Sequence, residues 1–578
     1  MLNFREDYKY LFFIFIIPFF IFFLFNFLQY PISRNYFGFL DNWFYQSYAI
    51  NYDDLYNRYG LTYYSSRFGI IFPLILLNKF FSFTTSFLIF TLLLFYISSF
   101  FIFNSLNKYF SKSASLFITV TLCSSNWFLA TISWTYPDSV IVPYLIASLS
   151  LVISGKRDKK TIILMGLFCS LAFFSNVFSV IPIFCTYLAF IVNKNFSKKE
   201  LYNFLKITIM TFLCVFIFVC MFYMFLFGEW NILKPSINMV TRSINNLHTD
   251  YRVPIDTFLK TGFFYPSFIS IVICCLTFFG SKNNTSFSKN NFYSITVYFL
   301  VLIALNFMNR FFLKGATFET FYYFSLFIPI TFYTMIYILS PLIQKLTFVY
   351  YLVIFLFFLF FLVLPYDFLY LTFIDNILII YLIIFLFIFS YFLLVSYKLS
   401  SFLSFLYILF FLIFFQISFT QKLSSLNVGF GNFDLKEEKL EQKNFYYNYP
   451  NTYSFDELVI FQNMINEIKN NNLSNNQLFF LSPLSNATNS LRSSYLWGYS
   501  SLLGDINNYP YISNNGDLYN KVKSGNKFFL FVFDDDKSRL NKIELNIKEN
   551  LNGFYEINSY GKFSSKNYLF YYKIFLFN

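Results

Sequence analysis

Charge is what this sequence has least of. Lys, Arg, Asp and Glu together make up 12% of its 578 residues, whereas a soluble domain carries about 25%. An ordinary water-soluble globule is thereby excluded. Histidine is nearly absent: His248 stands alone in the chain, and one imidazole is a poor basis for a metal site. All seven cysteines (Cys123, Cys169, Cys185, Cys214, Cys220, Cys274 and Cys275) fall inside apolar runs without a CxxC pair. That placement argues against a disulfide framework or a zinc knuckle. The chain also lacks a glycine-rich nucleotide fingerprint. No small-residue cleavage site follows the first apolar run, LFFIFIIPFFIFFLFNFLQ from Leu11, so this run reads as a retained span and not a signal peptide.

Apolar length fills the space that charge leaves. Runs of about 20 apolar residues, enough to cross a hydrocarbon core as helix, recur along the first three quarters of the chain. By length there are about thirteen spans, near 10–29, 83–106, 114–133, 138–154, 161–175, 177–192, 206–227, 259–280, 291–309, 320–340, 346–365, 375–396 and 401–420. The stretch FGIIFPLILLNKFF after Arg67 is short, interrupted by Pro73 and ended by Lys79. It is expected to be a juxtamembrane helix on the outer side. The 93 Phe and 48 Tyr accompany abundant Asn, Lys and Ile, a coding bias more than an aromatic function; a single Phe here is lipid-facing filler.

The charges that remain are ordered. Net charge is +13, and residues 421–578 hold 16 Lys+Arg against 15 Asp+Glu, so the excess lies upstream. The short connections NKYFSKS, GKRDKK, NKNFSKKE, SKNNTSFSK, QK and YK are basic, which makes them cytoplasmic under the positive-inside rule. This excess is membrane topology and headgroup contact; nucleic acid is not an expected partner. The N-terminus then lies inside. The loops at 30–66 and 228–258, the turn from Tyr136 to Asp138 and the tail after Thr420 lie outside.

The tail has another grammar. Ser454-Phe455-Asp456-Glu457 has the form of a capping box before FDELVIFQNMINEIKN. KFFLFVFDD predicts a strand, SRLNKIELNIKENLNG a helix closed by Gly553, and NYLFYYKIFLF a final strand. The fold class is therefore a polytopic α-helical membrane protein with a small C-terminal α/β soluble domain. Residues 1–425 form the membrane domain, with a first outer loop at 30–66, and residues 430–578 the soluble one.

Acids at span ends are the candidates for chemistry, because ionisable groups near a bilayer are expensive to keep. In GFLDNWFYQSYAINYDDLYNRYGLTYYSSRFGIIFP, Asp41 precedes Tyr45, Tyr48 and Tyr52, which share one helical face if a helix begins there. Those rings would anchor the helix in the interface. An Asp so placed also serves as a plain N-cap. Asp138, in ATISWTYPDSVIVPYL, stands on the same side after Pro137, again where a helix starts. Two carboxylates in different surroundings can divide the work of base and orienting partner. Asp53-Asp54 and Asp534-Asp535-Asp536 are set aside, the latter as a helix cap.

These segments resemble the GT-C superfamily of membrane glycosyltransferases, in particular the family 39 branch of protein O-mannosyltransferases and aminoarabinose transferases. The likeness rests on the acid of LDNWFYQSY, the stretch GLTYYSSRFGIIFP entering the membrane, and the acid of TYPDS. It is specific over residues 38–155 and loose elsewhere. No MIR-type insert is present, and the prolines usual beside the basic residue are missing, although Pro73 follows. The resemblance implies a GT-C-like membrane domain that moves a sugar from a polyprenyl-phosphate donor to a glycan, lipid or protein acceptor at the periplasmic face of a bacterial inner membrane. It further implies Asp41 as general base and Asp138 as its orienting counterpart, with Arg67, and less directly Arg58, on the donor phosphate. Tyr63, Tyr64, Glu319, Tyr322 and Tyr323 would line the substrate pocket. Arg58 and Arg67 also fit snorkelling residues, and Glu319 also fits a helix cap. A divalent cation, Mg or Mn, is left open as a cofactor with no residue assigned to it.

The alternative is a transporter or flippase for a lipid-linked glycan, without covalent chemistry. Transport favours ionisable groups deep within spans, and here the spans are almost free of charge. Topology offers a direct check. An alkaline phosphatase fused after Gln421 is expected to be active, and one fused within GKRDKK inactive; the reverse pattern would invert every sidedness assigned above.

Overall fold

Backbone inside a bilayer has no water to bond, so an apolar chain satisfies itself as helix. The computed structural model describes residues 4–24, 45, 48–49, 52–53, 56, 60–81, 83–133, 137–194, 197–244, 285–312, 325–363, 400–409, 412, 478–480, 522, 528–534, 537–551, 555–564 and 569–577. The spans expected near 259–280 and 375–396, and the helix expected after Ser454, lie outside these residues.

The helices are α1 (Phe4–Leu24), α2 (Phe68–Asn78), α3 (Phe83–Leu106), α4 (Lys112–Cys123), α5 (Asn126–Ser133), α6 (Pro137–Ser154) and α7 (Lys159–Ser175). After a 3-10 turn at Val177–Ser179 come α8 (Val180–Lys194), α9 (Lys198–Phe227), α10 (Lys234–Ile244), α11 (Ser286–Phe312), α12 (Ile328–Ile343) and α13 (Phe348–Val363). Residues 401–409 are also helical. Among the described residues, four stretches are long and apolar enough to cross a membrane: Thr85–Leu106, Lys198–Phe227, Lys289–Asn309 and Ser325–Ile343.

Two boundaries refine the expectation. The span expected at 114–133 is broken into α4 and α5 at two serines. Ser124 Oγ bonds back to the Val120 carbonyl at 2.6 Å, and Ser125 Oγ accepts from the Phe128 N–H as a cap. The spans on either side of Asn176 are separate helices. Asn176 is extended and its side chain accepts from the Phe178 N–H, opening the next turn.

The core lies around α6 and α12. Every residue from Val140 to Ser154 is buried, which explains why α6 has no polar face. Its hydroxyls are satisfied inside the bundle: Tyr333 of α12 lies 2.9 Å from Ser105 of α3 and 2.5 Å from Ser150 of α6. At one end, α3 and α6 are tied together by Lys108 donating to the Ser154 carbonyl and Tyr109 to that of Ile153. The connections GKRDKK and NKNFSKKE also meet there, Arg157 against Glu200 at 3.7 Å. This is the basic end. The opposite end carries the residues of the two long connections and is called the loop end below.

Helix α2 has 11 residues and spans about 16 Å, too short to cross a bilayer. It tucks in at the loop end, burying Phe68, Ile70, Ile71 and Leu74, while the Asn78 side chain donates to the Ala49 carbonyl. Gly69 allows close contact with α7. A β-carbon there would stand 1.8 Å from Ser175 Oγ, which already donates to the Leu171 carbonyl.

The tail contributes a sheet in the order β1 (Leu478–Phe480), β2 (Phe528–Asp534), β4 (Leu569–Phe577), β3 (Tyr555–Ser564), with β1 parallel to β2 and the other pairs antiparallel. Strands β2 and β4 and helix α14 (Lys537–Leu551) match expectation. Strand β3 does not. No element is predicted over its polar sequence YEINSYGKFS, and it is held by pairing with β4 and by Gly561, over which the Tyr572 ring lies. Leu530, Val532, Phe575 and Phe577 pack against Leu540 and Ile547 of α14. Tyr572 and Ile574, on the other face of β4, join the large cluster of the helix bundle. Burial on both faces accounts for a strand that is apolar on both sides apart from Lys573, which pairs with Glu544 of α14.

The α2–α7 contact yields a prediction. Gly69→Ala is expected to destabilise the detergent-purified protein by about 1–3 kcal/mol, seen as a lower melting temperature. Adding Ser175→Ala should recover part of the loss. Equal melting shifts for the single and double variants would remove this contact as the cause.

Candidate functional site

The site begins with a turn that leads into α2. Gly60, at φ +67°, turns the chain and donates to the Tyr56 carbonyl at 2.7 Å. Thr62 and Ser65 then bond each other reciprocally: the Thr62 N–H donates to Ser65 Oγ at 2.7 Å, and the Ser65 N–H to Thr62 Oγ1 at 3.2 Å. The Ser65 carbonyl points away from this turn and accepts two tyrosine hydroxyls, Tyr52 at 3.2 Å and Tyr223 at 2.7 Å. Tyr52 comes from the first loop and Tyr223 from the end of α9. One carbonyl therefore fastens three parts of the chain.

The tyrosine face expected in the first loop exists. Tyr45, Tyr48 and Tyr52 are helical and buried. They turn inward to protein instead of anchoring in the interface. Tyr45 packs edge-on against Tyr64, Tyr48 accepts from Thr62 Oγ1 at 3.1 Å, and Tyr52 stacks on Phe227 at 3.8 Å.

Arg67 follows the clamp directly and caps the N-terminal end of α2 with its backbone carbonyl, which accepts from Ile70 and Ile71. Its side chain is 1% exposed, and the guanidinium lies 3.7 Å from the centroid of the Tyr63 ring. Tyr223 is near enough to feel its charge. A cation at the positive end of a helix dipole is repelled by that dipole. Such a position suits a group that receives an anion.

Beyond Tyr63 opens a cleft of about 520 Å³, lined by Leu61, Thr62, Tyr63, Glu229, Asn231, Lys234 and their neighbours. Its second wall is built by the end of α9. Gly228 adopts φ +68° as the left-handed cap, with its N–H on the Met224 carbonyl. The chain thereby folds back and sends Glu229 towards the first loop. The Tyr56 phenol, close to Glu229, has its pKa pushed up to about 12 by burial and then by that carboxylate. An apolar groove of about 410 Å³ begins at Phe68, the residue after Arg67, and runs between Phe68, Phe72 and Pro73 of α2, Leu171 of α7 and Phe218 of α9.

Of the residues singled out from sequence, Arg67 and Tyr63 come together here, and Tyr64 supports them through Tyr45. Asp138 lies in the first turn of α6, where a helix start was expected. Asp41, Arg58, Glu319, Tyr322 and Tyr323 lie outside the described residues, as do Asp54 and His248. Among the described residues, no three of His, Cys, Asp and Glu gather as a metal cluster. Sequence reasoning missed Tyr223, Glu229 and Lys234. The available signal was the Gly-Glu-Trp at which the span before the second long loop ends.

The clamp is testable. Removing either hydroxyl, with Tyr52→Phe or Tyr223→Phe, leaves the Ser65 carbonyl one of these donors and should cost about 1 kcal/mol. The double variant should lose more than the two singles added together. Strictly additive melting shifts in detergent would mean that the hydroxyls do not share this carbonyl.

No family model matches the chain, and no curated protein matches it. Among solved structures, the crystal structure of ArnT from Cupriavidus metallidurans bound to undecaprenyl phosphate is similar at 10% sequence identity, with 91% of this chain and 86% of that chain covered and a TM-score of 0.44. The functional argument therefore rests on this chain's own side chains.

Proposed function

We propose that this protein is a GT-C type glycosyltransferase that moves a sugar from a polyprenyl-phosphate donor to an acceptor hydroxyl at the loop end of the bundle. The observation that carries the reading is the setting of Arg67. Arg67 is 1% exposed at the head of an apolar helix, between Tyr63, whose ring stacks on its guanidinium and lines a polar cleft, and Phe68, which lines an apolar groove. A lipid phosphate needs those three surroundings at once. The planar cation takes the phosphate in a forked pair of hydrogen bonds, the groove receives the first isoprene units, and the cleft admits water-borne chemistry. The resemblance of residues 38–155 to the family 39 branch supports the same assignment.

In this reading Asp41 takes the proton of the acceptor hydroxyl as its oxygen bonds to the sugar's anomeric carbon. The bond from that carbon to the phosphate oxygen breaks, and its electron pair leaves with the polyprenyl phosphate. Arg67, aided by Arg58, holds the charge that develops on the leaving group. Asp138 orients the acceptor across from Asp41. Tyr63, backed by Tyr64, lines the pocket together with Glu319, Tyr322 and Tyr323. No step is assigned to a metal. Thirteen crossings, a cytoplasmic N-terminus and a periplasmic domain from residue 430 belong to the same proposal, as does a bacterial inner membrane.

A transfer assay in membranes tests it, using undecaprenyl-phosphate-linked pentoses and hexoses with radiolabelled sugar and scoring protein level separately. Asp41→Asn is expected to lower product formation at least about 100-fold, and Arg67→Ala by a similar factor. Undiminished product from a stably inserted Asp41→Asn protein would falsify the assignment of the base. Undiminished product from Arg67→Ala would remove the phosphate site.

A further inference from the structure

The cleft beyond Tyr63 has a carboxylate, Glu229, that the proposed reaction does not use. Glu229 and Lys234 line it together with Thr62, Tyr63, Asn231 and Asn238. Its volume of about 520 Å³ falls within the range of about 300–1,000 Å³ typical of small-molecule sites. One acceptor-only group, one ammonium donor, two amides that both donate and accept, and two hydroxyls face the same space. A ring of hydroxyls, each able to donate and accept, matches that inventory. A simple anion would be opposed by Glu229, and an apolar chain would leave every one of these groups unsatisfied.

We infer that this cleft is a glycan-binding subsite that holds the terminal sugar of the acceptor, with Glu229 as its main positioning residue. Three observations support this. Glu229 stands close enough to Tyr56 of the first loop for its carboxylate to act on that phenol, so the first loop and the end of α9 approach each other here. Its backbone position is set by the left-handed Gly228, which turns the chain back over the end of α9. The cleft also shares no lining residue with the apolar groove, and Asn231, Lys234 and Asn238 of its lining are exposed. The donor phosphate at Arg67 would therefore reach the site from the lipid side and the acceptor from the water side. Trp230, 60% exposed beside Glu229, provides a natural reporter of occupancy.

The acceptor role rests on the transferase reading; sugar binding in the cleft does not. The full chain in detergent is titrated with methyl glycosides of mannose, glucose, galactose and N-acetylglucosamine, and separately with undecaprenyl phosphate, by saturation-transfer NMR and Trp fluorescence. At least one glycoside should bind. Glu229→Gln should weaken it about tenfold and Asn238→Ala by a smaller factor, with undecaprenyl phosphate affinity unchanged in both. Arg67→Ala should do the reverse. Binding of no glycoside, or glycoside affinity unaltered in both cleft variants, overturns the subsite. Loss of undecaprenyl phosphate binding in Glu229→Gln assigns the cleft to the donor instead and also overturns it. If Arg67→Ala leaves lipid phosphate binding intact while Glu229→Gln abolishes sugar binding, the transferase reading fails and the subsite stands.

Discussion

The Ser65 carbonyl governs the loop end of this protein. It is buried, so it needs hydrogen-bond donors from the chain itself, and the two tyrosine hydroxyls that supply them come from segments far apart in sequence. Tyr223 lies 158 residues away. This one acceptor fixes the first loop, the end of α9 and the start of α2 relative to each other. The placement of Arg67 follows, because it is two residues further on and its backbone already belongs to α2. A buried guanidinium is tolerable only where its surroundings are rigid and polar enough to hold it. The clamp supplies rigidity, and the Tyr63 ring supplies a face of negative potential beneath the cation.

The rest of the bundle obeys the same constraint with different groups. Serines and threonines on α3, α6 and α12 return their hydroxyls to carbonyls one turn back, as Ser98, Ser148 and Thr334 do. Where three helices meet, Tyr333 links two serines instead. Helix α6 is buried all round. Its neighbours α3 and α7 therefore have fixed partners, and the short helix α2 can be seated against α7 through Gly69. The outer surfaces of α9 and α11 remain apolar and exposed, Phe225 at 87%, as surfaces that meet lipid do.

The sheet of the tail extends this logic to another class of structure. Lys573 sits on the α14 face of β4, where it bonds Asn541 and Glu544. Its neighbours Tyr572 and Ile574 point the other way, into the bundle's cluster. The strand thus has a helix on one side and the membrane body on the other. A sheet so covered is fastened to the bundle.

Much of this was legible in the sequence. Apolar run length determined which segments become helices, and basic connections sorted those helices into two ends, because both are sums over neighbouring residues. The tyrosine spacing marked the face of the first-loop helix, and Arg67 was visible as a costly group at the entrance to α2. The breaks were less legible. Ser124 and Ser125 interrupt a run of even hydropathy through their own hydrogen bonds, and β3 becomes a strand only because β4 offers it an edge. What only the tertiary structure decided is which distant groups meet. The inward turn of Tyr45 and Tyr48 onto Tyr64 and Thr62 depends on how the first loop folds back on itself, whereas the convergence of Tyr52 and Tyr223 on one carbonyl and the arrival of Glu229 beside Tyr63 depend on segments more than a hundred residues apart. Hydropathy and spacing are local quantities, and they carry no record of which helix end is packed against which.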